Sequence, residues 1–134
     1  MTLVDTNVLL DLVTDDPDWS EWSLARLEEA ALAGPIVIND VVYAETSIRY
    51  DRIEDLDAML DQAMIGIAAT PRSALFLAGK AFRRYRAAGG ARTGVLPDFF
   101  IGAHASVEGW PLLTRDAGRY RGYFPKVRLI APPA

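Results

Sequence analysis

The sequence predicts an α/β domain in which a mainly parallel sheet is covered by helices on both faces. Short apolar runs (Leu3-Val4, Ile36-Val37-Ile38, Leu112-Leu113 and Val127 to Ile130) alternate with longer stretches of helical periodicity, the pattern of a parallel sheet with crossover helices. An apolar content of 51% in 134 residues suits one domain, 1–134, burying roughly two-thirds of its unfolded surface. Three of the apolar runs, moreover, lead into an acid at the start of a helix or within two turns of it: Asp5, Glu45 and Asp116.

Composition removes several kinds of chemistry. With no cysteine there are no disulfides, thiolate metal sites or cysteine nucleophiles. The single histidine, His104, excludes paired-histidine acid/base catalysis within one chain, and its place between Ala103 and Ala105 suggests packing or a helix hydrogen bond. Met1 to Val4 passes straight into strand-like sequence with no basic segment or long apolar core, so the expectation is a cytoplasmic chain without a membrane span. The net charge of −4 hides a division: residues 1–70 carry three Arg against fifteen acids, and residues 71–134 carry eleven Lys and Arg against three. Either these are solvated helix faces of opposite sign, or an acidic site is bordered by basic walls suited to a polyanion.

The elements follow in order. Leu3-Val4 is a buried strand, and Val8, Leu9, Leu12 and Val13 have helical spacing, with Asp15-Asp16-Pro17 ending that helix. Asp18-Trp19-Ser20-Glu21 has a capping-box-like spacing, and Trp22, Ala25, Leu27, Ala31 and Leu32 supply a core-facing stripe up to Gly34-Pro35. Ile36 to Ile38 is a strand, Asn39 an N-cap, and Asp40 to Ile48 a helix that can turn Val41, Val42, Ala44 and Ile48 to the core. Ile53 to Met64 reads as an amphipathic helix with an acidic outer face, and Ile65-Gly66-Ile67-Ala68 as a short edge strand.

Thr70-Pro71 then opens a long helix in the N-cap and Pro-at-N1 pattern, with Leu75, Leu77, Ala78, Phe82 and Tyr85 inward and the basic Lys80, Arg83, Arg84 and Arg86 elsewhere. Gly89 to Gly94, containing Arg92 and Thr93, reads as a mobile loop. Pro97 starts a helix with Asp98 in its first turn, and its small residues Gly102, Ala103 and Ala105 imply close packing against a neighbour. Pro111 to Asp116 repeats the strand-then-acid theme, and Val127 to Ile130 is a last strand before Pro132-Pro133.

In a right-handed parallel sheet the strand-to-helix junctions share one edge, where ligands bind. Asp5, Glu45, Asp98 and Asp116 can therefore converge on one cavity. Each also has an ordinary reading: Asp5 or Thr6 as a helix cap, Glu45 facing solvent, Asp98 complementing a helix dipole, and Asp116, like Asp98, as a helix cap. Four acids at one edge would repel without a cation, and oxygen ligands favour Mg²⁺ or Mn²⁺ over zinc. Such ions hold a phosphodiester, activate water and stabilise the leaving oxygen, so the inferred chemistry is metal-assisted phosphoryl hydrolysis.

Taken together, Val4-Asp5-Thr6-Asn7-Val8-Leu9, the Glu45 helix, Pro97-Asp98-Phe99-Phe100-Ile101-Gly102-Ala103-His104-Ala105 and Leu112-Leu113-Thr114-Arg115-Asp116 resemble, in order and spacing, a PIN domain of the VapC-type ribonuclease toxins of bacterial toxin–antitoxin pairs. That resemblance implies a three-layer α/β/α sandwich, an acidic quartet of Asp5, Glu45, Asp98 and Asp116 binding Mg²⁺ or Mn²⁺, hydrolysis of RNA, a homodimer and inhibition by a small VapB-type antitoxin. Thr6, Asn7 and Thr114 match the family's polar support positions, while Arg83, Arg84, Arg86, Arg92 and Arg115 are candidates for contact with RNA. Some relatives carry a further acid after the last aspartate. Here that segment is Ala117-Gly118-Arg119, which weighs against tight binding of a second metal.

Two other classes remain open. Asp5-Thr6-Asn7 superficially resembles the opening of a haloacid-dehalogenase-type phosphatase, but that chemistry wants an acid at Asn7 and a supporting lysine, and the only lysines are Lys80 and Lys126. A module that holds RNA or an antitoxin without cutting is the non-enzymatic alternative. Trp19, Trp22 and Trp110 read as core or interface residues.

Overall fold

A computed structural model describes residues 1–91 and 96–133. Along the chain run β1 (Thr2–Val4), α1 (Thr6–Val13), α2 (Ser20–Ala33), β2 (Ile36–Asn39), α3 (Asp40–Ser47), α4 (Ile53–Gln62), β3 (Ile65–Ala68), α5 (Arg72–Ala87), α6 (Leu96–Glu108), β4 (Leu112–Leu113), α7 (Gly118–Tyr123) and β5 (Leu129–Ile130). The strands form one sheet of order β3-β2-β1-β4-β5, and every pairing is parallel. All residues of β1 and β2 are buried, so both faces of the sheet's centre are covered and the architecture is a three-layer α/β/α sandwich. No helix among the described residues is long and apolar enough to cross a membrane.

The strand order explains where a ligand would go. From β1 the chain moves outward through β2 to β3, then returns to the other side of β1 to lay down β4 and β5. The direction of winding therefore reverses between β1 and β4, and at such a switch point a crevice opens outside the carboxyl ends of the strands. The parallel register of Val4 with Leu113, reinforced by the Asp5 amide donating to the Leu113 carbonyl (2.9 Å), sets Asp5 beside Thr114 at that crevice.

Several local expectations shift by a residue or a face. The stripe of α2 is Ser23, Leu27 and Ala30, while Ala31 and Leu32 face solvent, because Ser23 is drawn inward by a hydrogen bond to buried Asp11 (2.7 Å). Asp16, rather than Asp18, serves the entry to α2: its Oδ1 accepts from the amides of Asp18 and Trp19. In α3 the buried positions are Val42 and Thr46, leaving Ala44 and Ile48 exposed, since the Thr46 hydroxyl is satisfied by the Val42 carbonyl (2.8 Å). Pro71 is itself the cap position of α5, and Thr70 is engaged elsewhere, its amide and hydroxyl both donating to Asp40. The inward stripe of α5 is Ala74, Ala78 and Ala81, small residues that admit close approach to α6. Leu75 is exposed, and Leu77, Phe82 and Tyr85 flank the stripe, half-buried. The last strand is only Leu129–Ile130, because Val127 closes a turn onto the Phe124 carbonyl. The predicted loop Gly89 to Gly94 lies in part outside the described residues.

Helix α7 is the element with no counterpart in the sequence reading. It is held by an aromatic cluster in which Phe99 of α6 meets Phe82 and Tyr85 of α5 and Tyr123 and Phe124 at or just beyond the end of α7, with ring centroids 5.3–6.1 Å apart. Such edge-on and tilted pairs stabilise beyond the area they bury. Gly102 makes the approach possible: a Cβ there would lie 2.4 Å from the Phe124 ring and 3.0 Å from that of Tyr120. Gly102→Ala should therefore destabilise the fold by about 1–3 kcal/mol, the usual cost of overpacking, in urea unfolding. An unchanged midpoint would mean that Phe124 can step aside and that α6 and α7 are not packed this closely.

Candidate active site

Asp5 stands between β1 and α1 with extended backbone (φ −72°, ψ 151°) and is 4% exposed. Its Oδ1 accepts from the Thr6 amide (2.7 Å), so the cap role is real but uses only one oxygen. The other, Oδ2, accepts from Thr114 Oγ1 (2.8 Å), Tyr120 OH (2.9 Å) and Asn7 Nδ2 (3.3 Å). Burial pushes the carboxyl above its ordinary value and the charge of Glu45 adds to this, while the donated hydrogen bonds oppose it. The Tyr120 hydroxyl is itself pushed well up, first by burial and then by the charges of Asp5 and Asp98.

Glu45 does not simply face solvent. Asn39 begins α3 by accepting the Val42 amide (2.9 Å), and this aims Glu45 back at the crevice, where Thr6 Oγ1 donates to Glu45 Oε1 (2.6 Å). The same Asn39 amide contacts His104 Nδ1 (3.2 Å), and the His104 ring packs on Trp110 at 5.2 Å. Nδ1 thus accepts, the ring is neutral, and burial holds its pKa below the ordinary value. His104 is a buried tie between the end of β2, where Asn39 caps α3, and α6.

Asp98, in the first turn of α6, is gripped by Arg119 Nη1 at 2.6 Å. Burial first, then the charge of Asp5 and that of Asp116, push its carboxyl up to about 6 against the pull of Arg119. Asp116 is exposed, and its amide is anchored to Thr114 Oγ1 (3.0 Å). The four acids thus reach one edge and feel each other's charge, but convergence on a single cavity needs correction. As the side chains stand, no three or more His, Asp or Glu among the described residues are close enough to hold an ion. The physical reason is visible: Arg119 already neutralises Asp98, and Asp116 turns to water. The donor set itself is oxygen-only, with two carboxyls raised by burial and by neighbouring acids, which is the chemistry of a hard divalent cation.

Arg115 proves to be tied down. Its Nε donates to Asp11 Oδ2 (2.9 Å), its guanidinium lies over the Trp19 ring at 5.2 Å, and its amide donates to Asn7 Oδ1 (3.3 Å). This braces the loop after β4 against α1 and α2. Arg83, Arg84 and Arg86 are exposed on α5, with Arg86 Nη1 donating to the Gly90 carbonyl, and Arg92 lies outside the described residues. Sequence reasoning missed Tyr120, Arg119 and Asp11. The i, i+3 and i, i+4 spacing of Tyr120, Tyr123 and Phe124 was a signal for the helix that carries the first two, whereas nothing local pairs Asp11 with Arg115, 104 positions away.

An all-parallel sheet with an acidic edge at its switch point defines a class of α/β proteins, and the comparisons narrow it. The PIN-domain family model matches residues 2–124, and the chain belongs to that family, whose members are generally nucleases. Curated proteins provide no sequence match. Among solved structures, the fold is similar to VapBC2 from Rickettsia felis bound to a DNA fragment from its promoter (TM-score 0.74, 21% identity, covering 98% of each chain). It is also similar to DNA-bound VapBC from Salmonella typhimurium (0.68, 16%, 97% of this chain and 96% of that one) and to FitAcB from Neisseria gonorrhoeae (0.67, 19%, 96% of each).

The raised carboxyl of Asp98 has a definite pH signature in the metal-free protein. Its folded-state value lies above the unfolded one, so its contribution to stability is fully present below 3.8 and is lost as the pH rises through about 6. Asp98→Asn should remove that decline, and urea unfolding between pH 4 and pH 7, on the order of the span of the shift, should show the variant gaining on the parent as pH rises. Parallel curves would mean that Asp98 does not carry the raised value.

Tyr120→Phe should cost about 1–3 kcal/mol in chemical denaturation, because it leaves buried Asp5 short of a donor. It should also raise the Asp5 pKa further, which carboxyl NMR can read. A neutral substitution would show that Thr114, Thr6 and Asn7 satisfy Asp5 alone.

Proposed function

We propose that this chain is a VapC-type endoribonuclease whose acidic quartet, Asp5, Glu45, Asp98 and Asp116, acts with Mg²⁺ or Mn²⁺. The observation that carries the reading is that these acids stand at the edge of the β1/β4 switch point within reach of one another's charge, with burial and neighbouring acids raising Asp5 and Asp98 above their ordinary values. Such a site resists holding its full negative charge without a cation, and a nucleic-acid backbone is a substrate that a cation can bring to an acidic edge. When bound, the divalent ion supplies charge neutralisation at the phosphate, a more acidic attacking water and stabilisation of the leaving oxygen.

The chain's own part is to hold oxygens in place. Thr6, Thr114, Tyr120 and Asn7 fix Asp5, and Thr6 also orients Glu45, so one hydroxyl and one amide of the same residue set the spacing between two acids. Thr6, Asn7 and Thr114 thus support the acids through hydrogen bonds. Asp5, Glu45, Asp98 and Asp116 would hold the ion, directly or through water, with Asp98 free to do so once Arg119 moves.

RNA as substrate, cytoplasmic location, a homodimer and a VapB-type antitoxin complete the reading. The solved VapBC and FitAcB structures of the same fold support the antitoxin, as does an apolar groove of about 330 Å³ beside Glu45, lined by Val41, Ala44, Leu96, Pro97 and Phe100. The exposed arginines of α5, Arg83, Arg84 and Arg86, support a polyanionic substrate.

Incubating the purified chain with structured and single-stranded RNAs, with Mn²⁺ or with chelator, tests the function. Cleavage should require the ion, be lost in Asp116→Asn, and leave 5′-phosphate and 3′-hydroxyl ends. Cyclic 2′,3′-phosphate products would refute attack by water, and binding without cutting would make the chain a holding module. Charge reversal among Arg83, Arg84, Arg86 and Arg92 should weaken RNA binding and reduce its salt slope by about 1 for each phosphate no longer neutralised. An unchanged slope would assign these arginines to solvent or to the antitoxin.

A further inference from the structure

The ion pair between Arg119 and Asp98 stands out because it sits inside the proposed metal site. Arg119 is on α7, one residue before the tyrosine that donates to Asp5, and Nη1 reaches Asp98 Oδ2 at 2.6 Å. Its guanidinium also lies 5.7 Å from the centroid of the Tyr85 ring, so the side chain is supported from the α5 side as well. The two partners are 27% and 30% exposed, open enough to exchange and dry enough for the pairing to matter. One carboxylate oxygen cannot make a short charge-assisted bond to a guanidinium and at the same time bind a divalent ion at full strength.

We propose that Arg119 is a built-in counter-cation that competes with the divalent metal for Asp98 and thereby sets the metal affinity of the site. In the metal-free protein Arg119 relieves the repulsion among Asp98, Asp5 and Asp116 and keeps α7 docked. Metal loading requires it to let go of Asp98. The apparent dissociation constant then equals the intrinsic one divided by the fraction of molecules in which Asp98 is free. The inference rests on the reading of these acids as ion ligands. It also bears on the lack of a ready-made ion cluster among the described residues, since one of the two Asp98 oxygens, Oδ2, is held by Arg119.

Thermal melts of the full chain across a Mn²⁺ titration, without any RNA, test this. Arg119→Ala and the better-packing Arg119→Gln should reach half-maximal stabilisation at a Mn²⁺ concentration about three- to tenfold below that of the parent, the range expected for releasing a partly exposed charge-assisted pair. Arg121→Ala, which removes an exposed charge from the same helix, should leave the midpoint at the parent value. An equal shift in the Arg121 variant would reduce the effect to the general field of α7 and overturn direct competition, as would an unshifted Arg119→Gln.

In the parent, the Arg Nε–H resonance that is missing from Arg119→Gln should move on titration with Mg²⁺. A stationary resonance in a protein that Mg²⁺ stabilises would show that Arg119 stays on Asp98, and would overturn the proposal. If no variant and not the parent responds to either ion, the ligand reading of the acids falls, and the competition falls with it.

Discussion

A carboxylate that is 4% exposed must be satisfied where it stands, and the donors that satisfy Asp5 organise the molecule around it. Thr6 comes from α1, Thr114 from the end of β4 and Tyr120 from α7, so segments separated by more than a hundred residues are bound to one side chain. The Asp5 amide does the same for the backbone by pairing with Leu113. The two strands that flank the switch point are thereby locked in register by the residue that lies in the crevice between them. A change at Asp5 would be felt as weakened packing of β4 and α7 and not only as a missing charge.

Charge at this edge is arranged in opposition. Asp5, Glu45, Asp98 and Asp116 stand at one edge, where burial makes negative charge costly at Asp5 and Asp98, and two arginines from the basic half of the chain answer the acids there. Arg119 does so directly at Asp98. Arg115 works a step away, by binding Asp11 and bracing the loop that carries Asp116. A partly buried pair is weak evidence for stability, because desolvation consumes much of the attraction. Its worth here is positional, since Arg119 stacks on Tyr85 and Arg115 on Trp19, and both rings belong to segments outside the acidic edge. The aromatic cluster around Phe99 then carries the position of α7, and of Tyr120 with it, back to α5 and α6.

Much of this was legible in the sequence. The alternation of apolar runs and helical periods pointed to a parallel sheet, the Asn39 cap and the edge strand at Ile65 stood as read, and Gly102 was recognised as a point of close approach. That the acids lie at one edge follows from their order, since most of them come after a strand at short range and topology carries such junctions to one edge. What misled was local periodicity: Leu32 and Ile48 fit a helical stripe but face solvent, because the inward positions were decided by polar residues, Ser23 and Thr46, that find partners inside.

The sequence by itself determined that strands and helices alternate, that acids sit at or near the strand ends and that each chain offers no thiol and a single histidine, because these depend on residue order and type alone. The tertiary structure alone decided that Tyr120 donates to Asp5, that Arg119 occupies Asp98, that Arg115 answers Asp11 and that, among the described residues, the quartet does not close into a ready-made ion cluster. Those outcomes depend on the order of strands in the sheet and on how closely α6 and α7 approach, and pairings across 21 to 115 residues leave no periodic trace in the chain.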